Sequence, residues 1–150
     1  MLRYLRGIDL RKQVGSVTIW GLGLTIVLAG FAGLVIDTWR VFAERQDLSG
    51  MADSAAIAGA TAVDIARLNE TGEVALDDAV AIDRALEFVY SQDGWSPEIS
   101  VQAIPGPDNA FITVILEKDV YFTLLGPLLP GEDPLHITVT SLASPNVVEP

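Results

Sequence analysis

Few side chains in this sequence are placed to do chemistry. Asp77, Asp78 and Asp83 supply the oxygen donors a divalent cation takes, but nothing like an Asp-x-Asp-x-Asp-Gly ligand loop surrounds them. They read as the solvated face of a helix. His136 is the single histidine, two residues after Pro134, and stands as a surface residue at the entry to a strand. One imidazole excludes multi-histidine metal centres and leaves little for acid–base catalysis. Ser16 and Ser54 have no base partner and no glycine-flanked elbow. Asp108-Asn109 is turn chemistry. The chain has no cysteine, which removes thiolate metal sites, disulfides and thiol nucleophiles. The sequence therefore names no catalytic residue, no metal ligand and no cofactor, and reads as a non-enzyme. Two carboxylates remain as interaction candidates. Asp37 reads as a solvated helix-end residue paired with Arg40, with a neighbouring subunit's cation as the alternative partner, and Asp53 lies among alanines.

The elements that carry these residues follow from an uneven charge distribution. The 150 residues are 50% hydrophobic with mean hydropathy +0.40, yet the formal charge is −11. That acidity argues against a nucleic-acid partner, which needs clustered Lys and Arg. Residues 1–12 carry Arg3, Arg6, Arg11 and Lys12 against Asp9 alone, and residues 37–150 carry 5 basic against 19 acidic residues. Between them, Gln13 to Ile36 is 24 residues without a charge. Twenty helical residues span about 30 Å, the thickness of a bilayer's hydrocarbon core, so 14–36 is expected to be a transmembrane helix. The basic segment 1–13 is expected in the cytoplasm and residues 37–144 on the far side, with 145–150 a tail. Trp20 and Trp39 lie about 28 Å apart along a helix, which suits indoles at two interfaces. A cut after Ala32, as in a secretory signal, would leave the apolar start Gly33-Leu34-Val35-Ile36, so the segment reads as an uncleaved anchor.

Gly21, Thr25, Ala29 and Gly33 recur every four residues. Small residues at this spacing let helix backbones approach in lipid, and association of copies through this face is expected. The helical register continues beyond the apolar run. Val41, Leu48, Ala55 and Ala62, with Met51, Ala58 and Ile65, form an apolar stripe interrupted by Glu44. Arg40–Glu44 and Asp37–Arg40 are at ion-pair spacing. One helix is expected to run to about Leu68, with a break at Ser49-Gly50 as an option and Asn69-Glu70-Thr71-Gly72 as its end.

Further on, Leu76–Ser91 has helix spacing, and Asp77 and Asp78 suit its N-terminus. Glu98–Ile104, Ala110–Leu116 and His136–Leu142 read as strands, with Pro105–Asn109 a turn and Phe122–Leu129 a short helix. The expected fold is α+β: a long N-terminal helix packed on a small antiparallel sheet of about three strands, with one further helix. The Ala-rich part of the long helix is the natural cover for one sheet face.

These residues resemble the TadE/TadG-like proteins of the tight-adherence (Flp/Tad) pilus system. The resemblance lies in residues 15–63, at Gly15, Asp37, Arg40, Gln46, Ala52, Asp53, Ala55, Ala56, Ala58, Gly59 and Ala60. A looser likeness covers Phe122–Gly126 and Ile137–Ala143. It implies a short TadG-like or pseudopilin-like protein without catalysis of its own, at the bacterial inner membrane, with a periplasmic domain and pilus-assembly partners. Processed members of the pilin class carry Glu five residues after the cleaved glycine, whereas Trp20 stands five after Gly15. The alternatives are a minor pilin-like subunit cleaved after Gly15, or an accessory subunit of an unrelated membrane complex.

Overall fold

The computed structural model describes residues 14–124, 126 and 133–145. The expected cytoplasmic segment 1–13 and most of the tail lie outside them. Among these residues, three α-helices and one three-stranded antiparallel sheet give an α+β fold.

Helix α1 (Val14–Ala60) is continuous for 47 residues, about 70 Å at the helical rise. The option of a break at Ser49-Gly50 is not taken. Gly50 sits inside the helix, and the Ser54 hydroxyl donates to its carbonyl at 2.8 Å. The two halves of α1 differ in surroundings. Only 6% of its most apolar 18-residue window is buried, and this stretch is long and apolar enough to cross a membrane. The second half buries Leu48, Ala52, Ala55, Ala56 and Ala60 against the rest of the chain.

The expectation that α1 continues to Leu68 is corrected. It stops at Ala60, where the Thr61 hydroxyl turns back to the Ala58 carbonyl at 2.6 Å and the Ala62 N–H reaches Gly59 at 3.0 Å. The tightened last turn hands the backbone to an antiparallel bridge between Val63 and Leu76. Asp64 and Asp77, on either side, donate their N–H groups to Ala75 and Ala62. A separate short helix, α2 (Ile65–Thr71), then starts on Asp64, whose side chain accepts the Arg67 N–H at 3.0 Å, and ends at Gly72 with φ +74°. Ile65, expected on the buried stripe, is exposed because it belongs to α2.

Helix α3 (Asp78–Ser91) is capped by Asp77, which accepts the Val80 N–H, and buries Ala81, Ala85 and Val89. Strands β1 (Ser100–Pro105), β2 (Ile112–Val120) and β3 (Leu135–Ala143) pair in the order β1-β2-β3. The turn after β1 places Asp108 and Asn109 at φ +58°, where short polar side chains are tolerated. Asn109 also exchanges hydrogen bonds with Leu76, tying this turn to the bridge. Within the span Phe122–Leu129, where a short helix is expected, Phe122 to Leu124 are non-helical and Gly126 is in a 3-10 helical conformation. Leu125 and 127–129 lie outside the described residues.

Alternation assigns the sheet's faces. Ile112, Val114, Leu116, Ile137 and Val139 point to the helices and are buried. α1 covers β2 and β3, while α3 lies against α1 and β1. The alanines of α1 have no side chain beyond Cβ, so sheet and α3 close on the helix at short range. The other face carries the rows Ile104–Thr113–Leu142 and Gln102–Ile115–Thr140 and has no covering element among the described residues.

Candidate functional site

The distinctive polar arrangement lies where the apolar run of α1 ends. Asp37 directly follows that run, lies inside α1 and is 2% exposed, the buried charged residue of the described chain, which corrects the solvated helix-end position expected for it. A carboxylate out of water needs hydrogen-bond donors, or its desolvation is uncompensated. Here the backbone supplies them. The Thr123 N–H donates to Oδ1 at 3.2 Å, and the Leu124 N–H donates to Oδ2 at 3.1 Å and Oδ1 at 3.3 Å. Arg40, one turn on, donates to the Thr123 hydroxyl. The start of the loop after β2, at Thr123 and Leu124, is thus clasped onto α1.

A second contact extends the clasp. Lys118 Nζ meets Glu44 Oε2 at 2.6 Å, with both side chains partly buried. β2 runs opposite to α1, so Lys118 falls two turns beyond Asp37 and faces the helix in the same alternation as Leu116 and Val120. This corrects the Arg40–Glu44 pair expected from spacing, since Arg40 serves Thr123 and Glu44 serves Lys118. It also explains why Glu44 interrupts an apolar stripe: its partner approaches from the sheet.

The expected packing stripe divides. Gly21, Thr25 and Ala29 are exposed, and the Thr25 hydroxyl donates to the Gly21 carbonyl at 2.9 Å, satisfying itself within the helix. Gly33, one turn before Asp37, is buried by the chain's own fold. Of the signature residues, Asp53 is exposed, whereas Ala55 and Gly59 are buried at the contact of α1 with α3 and the sheet. A Cβ on Gly59 would lie 2.9 Å from the Ala81 carbonyl oxygen and 2.9 Å from Ile112 Cδ1. Gly15 lies in the first turn of α1.

No cluster of three or more metal-binding side chains occurs among the described residues. Asp77 is a helix cap and Asp83 is exposed, whereas Asp78 is half-buried with its Oδ1 out of solvent, which corrects the solvated position expected for it. His136 pairs across the sheet with Asp119 on the face away from the helices, and its Nε2 lies 4.0 Å from Glu117 Oε2. The Asp119 hydrogen bond and charge raise its pKa above the ordinary 6.5, with Glu117 adding to them. The raised value means this pair stabilises the fold fully below the unfolded pKa, and the contribution is lost as pH rises through the folded pKa. An NMR titration of this lone imidazole is expected to give a midpoint above 6.5, falling back in Asp119→Asn. A midpoint unmoved by that substitution would remove Asp119 as the cause.

Thr123, Leu124 and Lys118 are the site residues that spacing within α1 does not reveal. The available signals were a charge at a core position (Glu44) and a lysine on the inward alternation of an apolar strand (Lys118).

Residues 15–62 match the Tad family, described as Flp pilus-assembly TadE/G-like. The match spans α1 from Gly15 through the turn that ends it, and so includes Asp37, Arg40, Glu44 and Gly59. This segment, about a third of the chain, is similar to the TadE/TadG-like family. No curated protein and no solved structure matches the chain.

Proposed function

We propose that this chain is a membrane-anchored accessory protein of Flp-type pilus assembly that acts by contact and performs no catalysis. One observation carries the reading: the segment resembling pilus-assembly proteins is a single helix with a bare apolar half and a half that walls a folded core. A bare apolar half in water would expose Trp20, Phe31, Val35 and their neighbours together, a patch far beyond what soluble monomers tolerate. Lipid resolves it. In this reading the helix crosses the bacterial inner membrane once, with the basic residues before it holding the N-terminus in the cytoplasm. The acidic α+β domain then lies in the periplasm. Its outer sheet face, which no described element covers, and the exposed Gly21–Thr25–Ala29 stripe are the surfaces offered to other pilus-assembly proteins or to a second copy.

Two measurements test this together. The chain is expected to stay with sedimented membranes through a high-pH carbonate wash, and protease is expected to reach it only after the outer membrane is opened. Release by carbonate would remove the anchor, and digestion from the cytoplasmic side would reverse the orientation. Intact mass separates the cleaved alternative, since a minor pilin-like subunit would lack residues 1–15. Crosslinking in cells is expected to recover pilus-assembly components; partners from an unrelated complex alone would reassign the protein to that complex.

A further inference from the structure

We propose that the start of the loop after β2, Tyr121–Leu124, is a second lipid-contacting element, seated in the headgroup zone of the bilayer that α1 crosses. The proposal rests on the anchor reading of α1 and adds to it a surface of the folded domain. The clasp fixes this loop at a defined height, because Asp37 is the first residue after the uncharged run. At that height Tyr121 is 66% exposed and Leu124 is 47% exposed. Trp39 and Phe42 are exposed as well and lie against each other, with ring centroids 6.3 Å apart. At about 100° per residue they point about 140–200° away from Asp37, so they lie on the opposite side of α1 from the clasped loop. Apolar and aromatic side chains therefore flank the helix on two sides where its apolar run ends, and Trp and Tyr are the residues that favour this zone.

The backbone supports the same conclusion. Irregular backbone tolerates a water-poor setting only when its polar groups are satisfied from within. The Thr123 and Leu124 N–H groups are satisfied by Asp37, and the Thr123 hydroxyl is engaged by Arg40. Protein is the competing occupant for exposed apolar side chains. Lipid is favoured because Tyr121 and Leu124 are held beside Asp37, the residue that directly follows the bare apolar run of α1.

The absence of cysteine makes a direct test available in the full chain. Single variants Tyr121→Cys, Leu124→Cys, Ile26→Cys and Asp83→Cys carry a spin label and are reconstituted in phosphatidylethanolamine–phosphatidylglycerol vesicles. Collision with oxygen, which concentrates in lipid, is compared with collision with a water-soluble nickel chelate. The labels at 121 and 124 are expected to favour oxygen several-fold over the label at 83, and less than the label at 26. If the label at 26 is in lipid while those at 121 and 124 are as nickel-accessible as the one at 83, the proposal is overturned and the anchor stands. If the label at 26 meets nickel freely, the anchor itself fails. Labels at 121 and 124 shielded from both reagents would show a second copy of the chain as the occupant, which also overturns the proposal. Adding Asp37→Ala to Leu124→Cys is expected to move that label toward the nickel reagent; an unmoved label would mean that the clasp does not set the loop's height.

Discussion

Gly59→Val is expected to lower the stability of the domain by about 3 kcal/mol, a large share of what holds a small domain together. Gly59 is where α1 passes between the backbone of α3 and the side chain of Ile112. The first added carbon alone would sit 2.9 Å from the Ala81 carbonyl oxygen. That neighbour is backbone within a packed helix and cannot rotate away. Valine adds two further carbons to the same space. For a domain of this size the loss corresponds to a fall in Tm of roughly 10 °C or more, read by thermal unfolding in mild detergent. Gly59→Ala is expected to fall between, because its helix propensity returns up to about 1 kcal/mol against the clash. Gly50→Ala is the control of opposite sign. Gly50 lies in the same helix with nothing within 4 Å of a Cβ, so alanine there is expected to raise stability by about 0.5–1 kcal/mol. A wild-type Tm for Gly59→Val would mean that α1 and α3 do not approach as closely as described.

Much of this packing is readable from residue order, and the failures have physical causes. The Ala-rich run of α1 predicts a helix with a low surface, and the structure uses it as the floor for α3 and the sheet. The stop signal at Asn69–Gly72 is also real, but it ends α2 and not α1. Helical periodicity persists across Thr61–Asp64, so spacing alone does not show that the backbone leaves the helix there. The bridge to Leu76 that terminates α1 comes from residues distant in sequence. β2 runs on to Val120, beyond the expected end at Leu116, because Glu117, Lys118 and Asp119 keep the strand alternation while changing from apolar to charged. Lys118 then turns inward to Glu44, and Asp119 outward to His136. Local propensity gives the existence and type of the elements, whereas their ends and the polar contacts depend on long-range partners.

The same dependence governs Asp37→Ala, which is expected to free the β2–β3 loop while leaving the sheet folded. In the wild type two backbone donors among the described residues end on one buried carboxylate, and hydrogen bonds to a charged group contribute about 1.5–3 kcal/mol each. Alanine removes both acceptors and gives no replacement. The effect is local because Thr123 and Leu124 lie beyond the last β2 residue, and no β-ladder bond depends on them. Hydrogen exchange at the Thr123 and Leu124 amides is therefore expected to accelerate by about 100-fold, corresponding to about 3 kcal/mol of lost local protection. The amides of Val114 and Leu116, in the central strand, are expected to keep theirs. Asp37→Asn retains one oxygen as acceptor and loses the charge, so an intermediate acceleration of about 10-fold is expected. Arg40→Ala removes only the contact to the Thr123 hydroxyl and is expected to change exchange least. Unchanged exchange at 123 and 124 in Asp37→Ala would show that the loop is held by something other than this carboxylate. Loss of protection throughout β2 would show instead that the clasp is part of the global fold. Between those outcomes lies the reading favoured by the geometry: a buried acid at the end of an apolar helix that fixes where the domain sits relative to the helix beneath it.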